Sequence, residues 1–527
     1  MKPFADLLDR LLYTPQRNAK VALLVDYFRS VPDPDRGWGL AALTGALSFA
    51  HAKAGLIREL VATRTDPVLF GWSYDFVGDL AETAALMWPE PEGARPWPQL
   101  DEVVAALATT RKAELPALVA GWLDTLDATG RWALLKLVTG GLRVGASARL
   151  TKLALAAYGR QEPAEIEELW HGLAPPYATL FAWLDGRGPR PAADDAPVFR
   201  PLMLAHPVEG EDVARVAADL ASYLAEWKWD GIRVQIAATA GGVRLYSRSG
   251  DDISNTFPDL VEAVTFAGVL DGELLVKREG AVASFNELQQ RLNRKAVTPR
   301  MLEDYPAFVH LYDILFDGRE DLRALPFAQR RQRLESFFAR ERPPRMDVSP
   351  LVEVAGPDDL VRLRGGVRGT PIEGLMLKHK DSPYLAGRPK GHWWKWKRDA
   401  QLLDVVLMYA QRGHGKRSSF YSDFTFGAWR DGPSGPELVP VGKAYSGYTD
   451  AELLLVDRWI RDHTTRRYGP VREVVPALVF EVAFDSVHRS TRHKSGVAMR
   501  FPRIHRIRWD KPAAEADRLE RLEALIG

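Results

Sequence analysis

Lys228 stands at the centre of Glu226-Trp227-Lys228-Trp229-Asp230-Gly231. In an extended strand successive side chains point to opposite faces, so Glu226, Lys228 and Asp230 share one face and Trp227 and Trp229 the other. A lysine held between carboxylates fits an ion-paired edge strand as well as a covalent nucleophile. Three fixed residues recur by chance in roughly one chain of this length in fifteen, so the motif needs company. The company follows in order: Arg233, Arg248 in YSRSG, Glu273 in LDGELL, Tyr312-Asp313 in HLYDIL, Glu373 and Lys378 in EGLMLK, and Lys395 and Lys397 in WWKWK. In the last, alternation again puts both lysines on one face and Trp394 and Trp396 on the other.

The elements that must position these residues come from the texture of the chain. Residues 1–185 are rich in Ala and Leu with apolar positions at helical spacing, as in FADLLDRLL and AALATTRKAELPALVAGWLDTL, which predicts an all-helical region. GRGPRPAADDAPVF at 186–199 reads as a linker. Runs such as EWKWDGIRVQIAA, VLDGELLV and FVHLYDILF then read as strands, and after Asp399 QLLDVVLMYA, FTFGAWR and ALVFEVAF read as strands of a small barrel. AAEADRLERLEALIG reads as a terminal helix. The fold class expected is multidomain: an all-α domain at 1–190, an α+β domain at 198–400, a β-barrel at 401–512 and a helix at 513–527.

Jointly the motifs resemble those of the ATP-dependent DNA ligases, within the covalent nucleotidyltransferases that include RNA ligases and capping enzymes. RFPRIHRIRWDK, Arg500 to Lys511, is similar to the family's last motif, in a C-terminal OB-fold. LLKLVTGGLRVGAS at 134–147 is similar to the signature of the helical DNA-binding domain of its three-domain members. NAD-dependent ligases share the lysine motif but carry a cysteine zinc site, and this chain of 527 residues has no cysteine, which favours ATP.

The resemblance implies that Lys228 attacks the α-phosphorus of ATP to give lysyl-AMP. AMP then passes to a DNA 5′-phosphate and is displaced by the 3′-hydroxyl. An unperturbed lysine, with a pKa of about 10.4, is almost wholly protonated at neutral pH, so such a nucleophile needs cations beside it. By the same resemblance Glu226 accepts from the adenine amine, Tyr312 stacks on the base, and Arg233 and Arg248 hold ribose and phosphate oxygens. Glu273 and Glu373 ligate Mg²⁺, with Mn²⁺ a possible substitute, and Lys395 and Lys397 neutralise the α-phosphate. Trp227, Glu273 and Lys378 complete the ATP-binding set, and Arg500, Asp510 and Lys511 orient the pyrophosphate. The family's arginine six residues before Lys395 is replaced by Pro389, leaving Arg388 or Lys390 to fill that place, with Arg388 taken as the site residue. An RNA ligase or capping-type transferase, and a DNA clamp without chemistry, are the alternatives. LRVGAS argues against the first, and the joint presence of Lys228, Glu273, Glu373, Lys395 and Lys397 against the second.

The charge is 70 − 69 = +1 overall, so any nucleic-acid surface must be local. Between Arg131 and Arg160 lie Arg131, Lys136, Arg143, Arg149, Lys152 and Arg160 with no acid, although residues 1–195 carry 20 basic against 24 acidic residues. From Ser486 to Lys511 eight basic residues face one acid, Asp510. Arg143, Arg149, Lys152 and Arg503 are the expected DNA contacts, on a monomer that encircles nicked duplex DNA. Gly413-His414-Gly415-Lys416-Arg417 lacks the spacing and the Ser/Thr of a P-loop and is assigned to a barrel loop. Asp6, Asp9 and Arg10 interrupt any signal-peptide core, and no run reaches the ~18 apolar residues of a membrane span, so a cytoplasmic location is expected.

Overall fold

In the computed structural model the described residues are 1–90, 96–140, 142–192, 196–292, 294, 297–367, 370–413, 420–433, 435–491 and 493–526, with the side chains of Asp75 and Phe76 also left out. His414 to Arg417, Gly141 and Arg492 therefore lie outside them, as do residues 193–195 of the expected linker.

From Lys2–Tyr13 to Ala178–Leu184 the described elements are all helices, around one apolar core that includes Phe4, Leu8, Phe28, Leu40, Leu134 and Phe181. The stretch 105–126, with its apolar positions at helical spacing, spans two helices, Leu100–Thr109 and Leu115–Leu123, because Pro116 fits a helix start and not a helix interior.

Two antiparallel-rich sheets follow. One is ordered His206–Pro207, Trp393–Lys397, Ile372–His379, Tyr223–Trp229, Leu351–Val352. The other is ordered Gly242–Ser247, Ile232–Thr239, Gly268–Arg278, Ala307–Asp317, Glu320–Asp321. Apolar residues of alternate positions cover the outer faces. Ala225, Leu375, Leu377, Trp394 and Trp396 form one layer beneath the first sheet. Val234, Ile236, Leu270, Leu274, Val309 and Leu311 pack the second against the helices carrying Leu260 and Leu334. Each such side chain taken from water contributes about 1.5–3 kcal/mol, so the inner faces are free to carry charge. Gly231 joins Tyr223–Trp229 of the first sheet to Ile232–Thr239 of the second, and a Cβ there would sit 2.5 Å from the Leu274 carbonyl oxygen.

The C-terminal domain is a curled sheet of the OB type. Gln401–Arg412 pairs with Val479–Phe484 through its first half and with Val471–Val474 through its second, and Tyr421–Gly432 lies along its other edge. The strand therefore bends around a core of Leu403, Phe424, Phe426, Phe480 and Ile504. The expected terminal helix is confined to Leu519–Glu523. Its first half is diverted because Asp517 exchanges hydrogen bonds with the backbone of Asp404, which helical geometry does not permit.

Candidate active site

Three neighbouring strands align the chemistry. Lys228 lies opposite Gly374, which lies opposite Lys397; Glu226 lies opposite Met376, which lies opposite Lys395. Alternation then points Glu226, Lys228, Lys395 and Lys397 into a cleft of about 430 Å³ between the two sheets, while Trp394 and Trp396 join the apolar layer behind. Trp227 borders the cleft, while its side chain packs against that rear layer beside Leu375 and Leu377.

Two irregularities deliver residues that alternation would misplace. By parity Glu373 belongs with Leu375 and Leu377 on the apolar face. A bulge between Ile372 and Gly374 turns it inward. Gly374 permits this: its φ is +149°, and a Cβ would fall 2.2 Å from the Trp396 carbonyl oxygen. A second register shift, between Asp271 and Gly272 of the partner strand, leaves Tyr312 unpaired and directed at the cleft.

Lys228 Nζ lies 2.5 Å from Glu373 Oε2, and Lys397 Nζ lies 3.1 Å from the same oxygen. Burial works to raise the Glu373 carboxyl, but the two lysines outweigh it and hold it low. Burial likewise opposes charge on Lys397, yet Glu373 and Asp485 raise it overall. Lys395 has no such relief: burial first, then the fields of Arg388, Arg248, Lys228 and Lys397, all lower it. Arg388 is thus close enough to be felt at Lys395, although it does not line the cleft, and Arg248 does line it. Glu273 is half-buried on the wall of the cleft, and desolvation pushes its carboxyl up to about 7 against the opposing pull of Lys228 and Arg233.

Arg233 was expected on ribose or phosphate. Its Nη atoms instead donate to the Met203 carbonyl (2.6 Å), Asp271 (2.6 Å) and the Tyr384 hydroxyl (3.0 Å), a buried brace for the cleft wall. Its buried Nε has no partner among the described residues. Lys378 is 1% exposed and reaches Glu226 Oε2 at 2.7 Å, within cation–π distance of Tyr312, Phe327 and Trp393. Tyr312 is held protonated by burial.

Arg500 enters the cleft from the C-terminal domain, paired with Asp230 and 4.0 Å from the Phe285 ring centroid. Burial raises the Asp230 carboxyl despite Arg500. Asp510 and Lys511 do not accompany it. Asp510 accepts from Arg508, and Lys511 Nζ donates to Asp404 at 2.8 Å. Asp404 and the 503–508 strand both flank Val479–Phe484, which draws these two residues onto the barrel and away from the cleft. Phe285, Asp230 and Arg331 were not singled out from sequence for roles here. Arg331 left a signal: with Arg330 it falls on the buried stripe of Phe327, Leu334 and Phe337 in the helix Phe327–Glu341.

Glu273 and Glu373 are hard oxygen donors on one cleft, as a magnesium ion sharing its shell with phosphate and water requires. Among the described residues no group of three His, Cys, Asp or Glu is arranged to hold a metal ion. A larger cleft of about 740 Å³ lies between the helix Pro163–Trp170 and Phe316, remote from Lys228; its Arg200 and Arg323 are paired to Glu168.

The basic stretch of the helical domain is divided by folding. Arg131 is fully buried and donates to the carbonyls of Leu123, Trp88 and Pro89. Lys136 pairs with Asp79, and Lys152 pairs with Glu167 beside Trp170. Arg143, Arg149 and Arg160 are exposed. In LRVGAS, Val144 joins the core, the carbonyls of Val144 and Gly145 accept from Lys20 Nζ (3.3 and 2.9 Å), and Ser147 caps the helix Ala148–Gly159. Arg503 is half-exposed, 3.7 Å from Asp485.

A helical domain, a two-sheet domain with a lysine-bearing cleft and an OB-type barrel together define a multidomain nucleotidyltransferase. Residues 202–397 match the family model "ATP dependent DNA ligase domain", and residues 417–511 match "ATP dependent DNA ligase C terminal region". The chain is 33% identical to the "Probable DNA ligase" of Koribacter versatilis, over 100% of this chain and 96% of that one. It is 30% identical to "DNA ligase 1" of Korarchaeum cryptofilum, over 100% and 98%. The solved structure "Pmar-Lig_PreS3" shares the fold with a TM-score of 0.59 at 16% identity, over 96% of this chain and 99% of that one. The chain belongs to the ATP-dependent DNA ligase family. It is an enzyme that uses ATP and acts on DNA.

Proposed function

We propose that Lys228 is the nucleophile of a nick-sealing reaction, and that the observation carrying this is its Nζ, 2.5 Å from Glu373 at the floor of a cleft ringed by Arg248, Lys395, Lys397 and Arg500. The neutral amine attacks the α-phosphorus of ATP. A P–N bond forms, the P–O bond to the β-phosphate breaks, pyrophosphate leaves and Nζ loses its proton. AMP then transfers to the 5′-phosphate of nicked duplex DNA, and the 3′-hydroxyl displaces it to close the phosphodiester. Lys395 and Lys397 face the α-phosphate and stabilise its developing charge, Arg248 and Arg388 add to that field, and Arg500 holds the departing pyrophosphate. Tyr312 offers the base a ring, Glu226 an acceptor, and Arg233 its free Nε. Glu273 and Glu373 would hold Mg²⁺, which supplies charge neutralisation on the phosphates.

Arg143 and Arg149, with Arg503 on the barrel, contact phosphates, so that residues 1–190 and 401–512 flank the duplex while 198–400 performs adenylation on a monomer. Among the described residues no helix is long and apolar enough to cross a membrane, in keeping with a cytoplasmic site of action. Incubation with α-labelled ATP and Mg²⁺, then a denaturing gel, tests the first step. A heat-stable, acid-labile adduct is expected, and its absence refutes the assignment.

A further inference from the structure

Glu226 is 2% exposed, yet it is a carboxylate inside a protein, where an ion without compensation is strongly disfavoured. Two cations compensate it, one on each oxygen. Lys378 Nζ lies 2.7 Å from Oε2, and Arg331 Nη1 lies 3.4 Å from Oε1. Arg331 is itself buried, and its Nε donates at 2.7 Å to Glu335, whose side chain is 51% exposed. The helix Phe327–Glu341 thereby carries a chain of alternating charge from the surface, Glu335 to Arg331 to Glu226 to Lys378, ending under the ring of Tyr312 at the cleft. A carboxylate has about four lone-pair sites, and the two cations occupy two of them. The remaining acceptor capacity is held on a group that borders the nucleotide cleft.

We propose that Arg331 is a positioning residue for base selection: with Lys378 it holds the Glu226 carboxylate by both oxygens and aims it, so that the cleft accepts a purine bearing an N–H donor at position 6 and rejects one bearing an oxygen there. This rests on the reading of the cleft as the ATP site. An ionised carboxylate accepts and cannot donate, so the adenine amine is paired, a 6-hydrogen purine leaves the carboxylate unpaired, and the 6-oxygen of guanine meets it lone pair to lone pair. Removing Arg331 frees Oε1 of its partner and lets Glu226 turn away, which loses the discrimination.

The experiment compares ATP, purine riboside triphosphate and GTP, by direct binding to Lys228→Ala protein and by adduct formation with the native nucleophile. Without Arg331 substitution, ATP is expected to bind about 30-fold tighter than purine riboside triphosphate, as one hydrogen bond to a charged group provides. Arg331→Met should bring that ratio to within about threefold by weakening ATP alone, and should relax exclusion of GTP. An equal loss for both nucleotides, or an unchanged ratio, overturns the proposal. Should Arg331→Met fail to fold, Glu335→Gln decides, since it alters a half-exposed side chain and loosens the same arginine. A ratio lowered about threefold supports the proposal, and an unchanged ratio overturns it. Loss of the adduct from protein with Lys228 intact would instead sink the parent reading, and the binding ratio would still be measured.

Discussion

Two regions of this molecule hold a similar number of cations and dispose them differently: the cleft gathers its cations around shared carboxylates, and the helical domain divides its own between internal partners and the surface. In the cleft, Lys228, Arg248, Lys395, Lys397 and Arg500 converge on one space, and Lys395 is disfavoured as a cation by its neighbours. In the 131–160 stretch of the helical domain, Arg131, Lys136 and Lys152 are turned inward to carbonyls or acids, and three arginines remain outside. Crowded like charge costs stability and is kept where a polyanionic substrate relieves it. Charge that is matched within the fold holds helices together. A run of basic residues in sequence therefore says little about a surface until its partners are known.

The comparison breaks most visibly at Lys228. Lys228→Ala should lower lysyl-AMP formation by at least about 10³-fold, since it removes the attacking atom, while sealing of a nick already carrying 5′-AMP persists. An undiminished adduct measured by single-turnover labelling would end the assignment. Arg131→Ala tests the other region. It strands three buried carbonyls and opens a cavity, so denaturant unfolding should report a loss of about 2–4 kcal/mol. An unchanged midpoint would make Arg131 a spare cation after all.

A finer contrast lies within the last motif. Arg500→Ala should slow self-adenylation about 10²-fold and sealing of pre-adenylated nicks much less, because only the first step has a pyrophosphate to hold. Lys511→Ala, on a residue paired to Asp404 outside the cleft, should slow adenylation less than Arg500→Ala. Equal effects would show that the barrel moves Lys511 into the cleft during turnover.

Glu273 sharpens the electrostatic side. With its carboxyl pushed up to about 7 by burial, it is neutral below that pH and ionised above it. Only the ionised form holds a divalent cation, so the Mg²⁺ concentration giving half-maximal adenylation should fall about tenfold from pH 6 to pH 8. Glu273→Gln should flatten that dependence. The smallest effect is expected at Arg149: Arg149→Ala should leave stability unchanged, weaken DNA binding a few-fold and reduce the salt slope by about one. A loss of stability there would place Arg149 with Arg131.

Residue types and strict alternation along a strand suffice to fix which face Glu226, Lys228, Lys395 and Lys397 present. Lys228, Lys395 and Lys397 face one cleft because alternation opposes them to Trp227, Trp394 and Trp396, which pack on the layer behind. The order of helical, α+β and barrel regions is legible as well, since the apolar period changes from helical to alternating after the 186–199 linker, and strands separated by Gly-rich turns follow Asp399. The exceptions come from pairing between strands distant along the chain. The bulge that turns Glu373 inward and the register shift that frees Tyr312 depend on which strands pair and where, and nothing local marks them. The same holds for Arg331 at Glu226, for Arg131 among carbonyls and for Lys511 at Asp404. Each is a long side chain whose destination is set by whatever opposite charge or bare carbonyl folding brings within reach, and that distance is not written along the chain.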